Sequence, residues 1–382
     1  VFDNSQINSA FFISTIIMNS YNSMKNSENL KKLNKKIVSR YGKNFEDILD
    51  IKNDYFKKNK EFLDVDKEQS ISYKQQEKRI NCKICDNKLE EKLFEKLNIG
   101  YFSCSICGHL NGEYEDSDEF VNNLYVNEGG AEYSKIYHTE DNDAYQNRVE
   151  KIYIPKANFL LGTLDSLGEK SNNLNYVDFG AGSGYFVAAM NQLGVNNISG
   201  YDPSEVQVTF GNKMNQFNEL KISKAGNEIK LLESISSDVI SMIGVLEHLQ
   251  NPIGALSAIV KNPNIRYIYI SVPMFSLTVF FELIFKTIHN RHLAGAHTHL
   301  FTEKSLEFIF EKFNLEKVGE WWFGTDIMDL YRSMSVLLDE EKISKYAKQI
   351  FKEMIHPIMN STQLEMDKKL LSSEVHLLLK KL

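Results

Sequence analysis

Apolar positions change period along this chain, and the change divides it. Up to about residue 80 they recur at helical spacing: Leu30, Leu33 and Ile37 form one stripe, and Phe45, Ile48, Leu49 and Ile51 begin another. From Asn175 onward, short continuous apolar runs alternate with helical ones. The runs predict buried strands near 175–179, 197–201, 238–243 and 266–272, then strands from Glu316 to Phe323 and from Glu374 to Leu379. Such alternation predicts an α/β fold with a mostly parallel sheet covered on both faces and ligands at the carboxyl ends of its strands. Tyr145 to Leu167 reads as a helix with Val149, Ile152, Tyr153, Ala157, Leu160 and Leu161 mostly on one side, and Pro155 is placed to kink it. Thr302 to Phe313 reads as a helix with Thr302 as N-cap and Ser305 nearby. The helical stretch 326–368 is longer than a simple connection, which predicts an insertion that covers the active site or forms a subunit contact. Polar residues from Asn127 to Asp143, with Gly129 and Gly130, read as a connector. The expected organisation is a helical region 1–80, a small module 81–125, a connector 126–149 and an α/β domain 150–382 with its insertion at 326–368.

The module is defined by cysteine. Cys82, Cys85, Cys104 and Cys107 fall in the pattern C-x2-C-x18-C-x2-C, the spacing of a zinc ribbon in which two knuckles place four thiolates around one ion. Two disulfides are the competing reading and require an oxidising compartment. Gly108 suits the turn after the second knuckle. Four thiolates leave no open position, so the zinc role is structural, and His109 reads as a partly exposed polar residue rather than a ligand.

The richest chemistry lies in Tyr176-Val-Asp-Phe-Gly-Ala-Gly-Ser-Gly-Tyr185, which reads as a strand, a glycine turn and the start of a helix. Asn197 to Asp202 reads as a second strand ending in a carboxylate, and Asp238 to His248 as a later strand running into Gly-Val-Leu-Glu-His. Alone, Asp178 caps a turn and Asp202 before Pro203 starts one equally well. A nicotinamide enzyme shares the strand–turn–helix, but its third glycine would stand where this chain has Tyr185.

As an ordered set, these motifs resemble the class I methyltransferases that use S-adenosylmethionine (SAM). The resemblance spans about 150–382, its specific motifs mainly 176–252. It implies a Rossmann-like seven-stranded sheet with an antiparallel last strand. It places the amino acid end of SAM beside Gly180, Ala181, Gly182, Gly184 and Tyr185, with Asp178 accepting from its ammonium group. It places the ribose hydroxyls on Asp202 next to Pro203, and backbone and apolar contact at Gly244, Val245 and Leu246. A four-cysteine module ahead of such a domain resembles bacterial methyltransferases of sugar biosynthesis, implying O- or C-methylation of a nucleotide-linked sugar or a surface-polysaccharide precursor.

Removing a proton from the acceptor calls for a base, and histidine titrates near neutrality. His299 and His248 are the first candidates and His297 the next; Glu247 either orients one of them or helps hold a metal. A hydrogen-bonding role that only shapes the pocket is the alternative for each histidine. Trp321, Trp322 and Phe323 end a predicted strand near Asp326. They are either core or an apolar wall against a sugar ring, which makes Trp322, Asp326 and Tyr331 candidate substrate contacts.

Charge narrows the partners. The chain of 382 residues has a formal charge of −7, and from Cys82 to Phe120 it carries four lysines against nine acidic residues, the wrong balance for a phosphate backbone. No nucleic-acid partner is expected. Ala10 to Met18 is too short to span a bilayer, so no membrane span is expected and a cytoplasmic protein is the simplest reading. The N-terminal helices are expected to pack on the zinc module or on a second copy in a homodimer. Two other functions stay open: a methyltransferase acting on RNA or protein, and a non-enzymatic assembly subunit with the SAM fold.

Overall fold

The computed structural model describes residues 37–382 apart from 53, 126–141, 217, 225 and 294–296. Leu30, Leu33 and most of the polar connector lie outside the described residues.

Twelve strands are described: β1 (Val38–Tyr41), β2 (Lys92–Lys96), β3 (Ile99–Ser103), β4 (Leu110–Gly112), β5 (Tyr176–Phe179), β6 (Ile198–Asp202), β7 (Leu220–Ile222), β8 (Val239–Ile243), β9 (Tyr267–Pro273), β10 (His299–Leu300), β11 (Leu315–Phe323) and β12 (Glu374–Lys381). Eight form one sheet in the order β1-β11-β12-β9-β8-β5-β6-β7. All its neighbours are parallel except β12, which runs antiparallel to both β9 and β11. The apolar runs are continuous because β5 and nearly all of β8 and β9 are buried. The sheet has eight strands rather than the expected seven. The extra one, β1, comes from the region read as wholly helical and pairs Val38–Tyr41 with Gly319–Trp322. Four residues with an exposed pattern give no alternation strong enough to mark such an edge strand.

The helix expected over 145–167 starts earlier, at Asn142, inside the expected connector, and is broken. A π-helical turn, Val149–Tyr153, separates Asn142–Arg148 from Ile154–Ser166, and Pro155 sits in the first turn of the second piece, where its missing N–H costs nothing. The helix after β10 has its expected cap: Thr302 accepts from the Ser305 backbone and Ser305 answers in kind. Within the insertion stand helices Asp326–Glu340 and Lys345–Asp367. Phe45 and Ile48 of helix Phe45–Ile51 pack on Met328 and Met359 of those helices, so this N-terminal helix belongs to the sheet domain.

The cysteine module is tied into the same body. Strands β10, β4, β3 and β2 form a second, antiparallel sheet, and β10 lies just ahead of Thr302. The cysteines share a core with Phe301, Leu306 and Ile309. His109 is fully buried, not partly exposed: its Nε2 lies 2.8 Å from Nδ1 of His299.

Candidate active site and four-cysteine site

The two knuckles are near copies. The Asp86 amide donates to the Cys82 carbonyl at 2.9 Å, and the Gly108 amide to the Cys104 carbonyl at 2.8 Å. Both residues have positive φ, +60° and +71°, so the turn signal at Gly108 has a partner at Asp86 that the sequence hides behind a non-glycine residue. The four Sγ atoms lie within 4.8 Å of one another, with 3.6 Å from Cys82 to Cys107 and 3.4 Å from Cys85 to Cys104. No disulfide joins them. Zn–S bonds of about 2.3 Å in a tetrahedron place sulfurs roughly 3.8 Å apart, so the donor set fits that ion with little adjustment.

At the carboxyl ends of β5, β6, β8 and β9 a cavity of about 420 Å³ opens, within the usual range for small-molecule sites. Gly180, Ala181 and Gly182 line it, as do Tyr185, Asp202 and Pro203. Gly180, Gly182 and Gly184 all have positive φ. A Cβ on Gly180 would also sit 2.5 Å from Val245 Cγ2, so the bare backbone keeps two strand ends close. The Asp202 carboxylate is held by backbone: Oδ2 accepts from Gly182 N at 2.8 Å and Oδ1 from Ser204 N at 2.9 Å. Burial raises its pKa while those two bonds oppose the shift. Gly244 and Val245 line the cavity after β8, whereas Leu246 is buried. Gly184 does not line it; it starts helix Tyr185–Gln192 next to Leu220.

Asp178 also stays out of the cavity. It is 3% exposed, its Oδ1 accepts from Ser241 Oγ at 2.7 Å, and burial pushes its pKa up to about 7. A direct bond to a ligand in the cavity is therefore replaced by a place beneath the loop.

Glu247, His248 and His297 line the cavity together, although 49 positions separate the two histidines. Their imidazole rings stack at 5.0 Å, and His248 Nε2 lies 3.9 Å from Glu247 Oε1. Burial pushes Glu247 up to about 8 and His297 down to about 4. His299 is not with them. Fully buried, it faces His109 at the joint between β10 and β4, and burial holds its pKa well below the usual histidine value. It is removed as a candidate base.

The expected substrate contacts also lie elsewhere. Trp322 is core, with Nε1 donating to Glu320 Oε2 at 3.1 Å. Asp326 is a fully buried hub: Oδ1 accepts from Ser276 Oγ, Thr278 N and Thr278 Oγ1, and Oδ2 from Ser373 N and Gln363 Nε2. Tyr331 packs on Phe56, Phe351 and His356. Of that aromatic cluster only Phe323 lines the cavity.

Cations absent from the sequence reading take their place. Lys43, Lys52, Arg148, Lys156 and Arg291 all line the cavity. Lys156 faces Glu374 at 3.5 Å and Arg291 faces Asp329 at 2.7 Å. Lys43 and Lys52 are half-buried and form no ion pair among the described residues; Lys43 sits 5.2 Å from the Phe323 ring and Lys52 5.9 Å from that of Tyr55. Burial, then Lys156, lowers Lys43 to about 7. Nothing in the lysine-rich N-terminal stretch marks which ammonium groups turn inward; the π-helical turn beside Arg148, which brings Tyr153 against Tyr185 at 5.3 Å, is equally silent in sequence.

Residues 145–320 match a family model described as a methyltransferase domain. Among solved structures, the chain is similar to magnesium protoporphyrin IX methyltransferase from Synechocystis PCC 6803 with bound SAH, at 15% identity, covering 53% of this chain and 90% of that one, with TM-score 0.39. It is similar to the plantazolicin methyltransferase in complex with SAH at 14% identity, covering 68% and 93%, with TM-score 0.41. A SAM-dependent methyltransferase from Archaeoglobus fulgidus shares 18% identity, covering 59% and 94%, with TM-score 0.34. No curated protein sequence matches the chain. The matched domain and the strand order, with its single antiparallel strand beside β9, agree: this chain carries a class I SAM-dependent methyltransferase domain.

Proposed function

We propose that the protein methylates a sugar that carries an anionic group, as a nucleotide-linked sugar does. The observation that carries the reading is the pair Lys43 and Lys52. Both face the cavity onto which the glycine loop opens, and neither is within ion-pair distance of a carboxylate among the described residues, although Glu374 acts on both from further off. A half-buried ammonium group with no contacting counter-ion is costly, and a bound phosphate or carboxylate supplies a direct partner. The enclosing helices suit a small molecule. Beside the charged part, Phe323 and Val245 offer apolar surface.

When bound, SAM supplies a methyl group on a sulfonium, open to in-line attack. Gly180, Ala181 and Gly182 admit its amino acid end to the start of helix Tyr185–Gln192, Asp202 takes its ribose hydroxyls, and Gly244 and Val245 border the remainder. Asp178 acts beneath the loop, through Ser241. Glu247, His248 and His297 are the polar groups positioned to meet an acceptor hydroxyl. Cys82, Cys85, Cys104 and Cys107 hold a structural zinc that fixes β4, and through it β10 and the segment bearing His297.

Incubation with methyl-labelled SAM and a fractionated extract tests the reading. Label in nucleotide sugars is the expected result, and mass fragmentation separates oxygen from carbon methylation. Label confined to RNA or protein overturns the sugar assignment.

A further inference from the structure

We propose a second metal site, distinct from the four cysteines, in which Glu247, His248 and His297 bind one divalent first-row cation at the cavity wall. Their donor atoms lie within 4.8 Å of one another, close enough for one ion to gather them. Each of the three is set for the task by its surroundings. Glu247 is 4% exposed, yet its Oε2 has no hydrogen-bond partner among the described residues, although a carboxylate oxygen in that position should have one. His297 Nδ1 lies 3.0 Å from the Arg291 carbonyl, which can only accept; the proton therefore belongs on Nδ1, and Nε2 keeps its lone pair. His248 stacks on that ring and directs Nε2 towards Glu247.

Two imidazoles and one carboxylate favour manganese, iron, cobalt or zinc over magnesium or calcium, which prefer all-oxygen cages. Three protein ligands leave open positions facing the cavity. The chemical class that fills them is a substrate with a hydroxyl, or two adjacent hydroxyls, as on a sugar ring. This part rests on the methyltransferase reading, and it favours oxygen over carbon as the acceptor. The metal-bound hydroxyl oxygen attacks the methyl carbon, the new O–C bond forms as the S–C bond breaks, SAM leaves as a neutral thioether, and the hydroxyl proton passes to cavity water.

The test is a Mn²⁺ titration of the zinc-loaded full-length chain, read by electron paramagnetic resonance, with zinc quantified by elemental analysis in the same samples. SAM binding and thermal melting are measured alongside. The wild type should bind one Mn²⁺ per chain, and Glu247→Gln and His297→Gln should each weaken binding by about ten-fold or more with the zinc retained. His297 lies in a loop, so its variant decides the matter if Glu247→Gln fails to fold. No uptake of Mn²⁺ or Co²⁺ beyond the zinc equivalent, or uptake unchanged in a folded variant, overturns the site. Wild-type protein that binds SAM but no second metal defeats this inference alone, whereas loss of SAM binding defeats the methyltransferase reading.

Discussion

Where β5 and β6 end, the cavity wall is mostly backbone: Gly180, Ala181 and Gly182, with one carboxylate, Asp202, clamped by two amides. Where residues 43–52, 148–156 and 291 reach the same cavity, the wall is made of long side chains ending in cations. The first part has little freedom, because its shape follows from positive-φ glycines and strand ends that pack within van der Waals contact. The second part depends on which long side chains the loops, helix ends and helices turn inward and on whether a counter-ion is close by. A universal cofactor suits the first kind of wall, and a particular substrate suits the second.

The sharpest way to break this comparison is to remove the scaffold they share. Cys104→Ser should abolish zinc binding and lower stability by more than about 4 kcal/mol, because the remaining thiols, two of them buried, lose their ion and β4 loses its anchor. Elemental analysis and thermal melting check this; a metal-free variant that melts like the wild type refutes the structural role.

The next effect isolates the fixed wall. Asp178 has a folded-state pKa of about 7 against an ordinary value of 3.8, raised chiefly by burial. Below pH 4 it is protonated whether folded or not. As pH rises towards 7, the unfolded chain releases this proton while the folded chain keeps it, so stability falls across that window, by roughly 4 kcal/mol at most. Asp178→Asn should lose this component, and the difference between the two melting-versus-pH curves isolates it from every other group. Parallel curves would show that Asp178 titrates normally. A smaller effect is expected at Asp202→Ala: SAM affinity should fall about 100-fold, some 3 kcal/mol, with zinc content unchanged. Near-wild-type affinity by calorimetry would remove Asp202 from the ribose.

What could be read in the sequence follows the same division. The knuckles, the glycine loop and the capped helix at Thr302 are each written within a few consecutive residues, where spacing and backbone geometry determine the outcome. His297 and His299 show the limit. Two positions apart and chemically identical, one lines the cavity and the other is buried against His109, because β10 pairs with β4 of a module nearly 200 residues earlier. The edge strand β1, the π-helical turn beside Arg148 and the inward lysines likewise arise from contacts between distant segments, and no local pattern marks them. Asp326 and Trp322 lie away from the cavity, and the sequence hides this for a related reason: an acid or an indole near a strand end looks the same in sequence whether it faces a ligand or closes a hydrogen-bond network.

The smallest predicted effect tests the variable wall directly. Lys43 is lowered to about 7 because burial and Lys156 disfavour its charge, against the pull of Glu374 and Asp47. Below that pH it already carries the proton that an anionic substrate needs; above it, binding must take the proton up. The KM for an anionic acceptor should therefore rise above pH 7, by at most ten-fold per pH unit, while the SAM affinity stays flat. Lys43→Gln should raise KM by about ten-fold at pH 6, roughly 1.4 kcal/mol, and flatten the pH profile. A KM that is independent of pH and unchanged in Lys43→Gln would mean that the ammonium group faces solvent water rather than substrate, and the contrast between the two walls would then concern packing and not recognition.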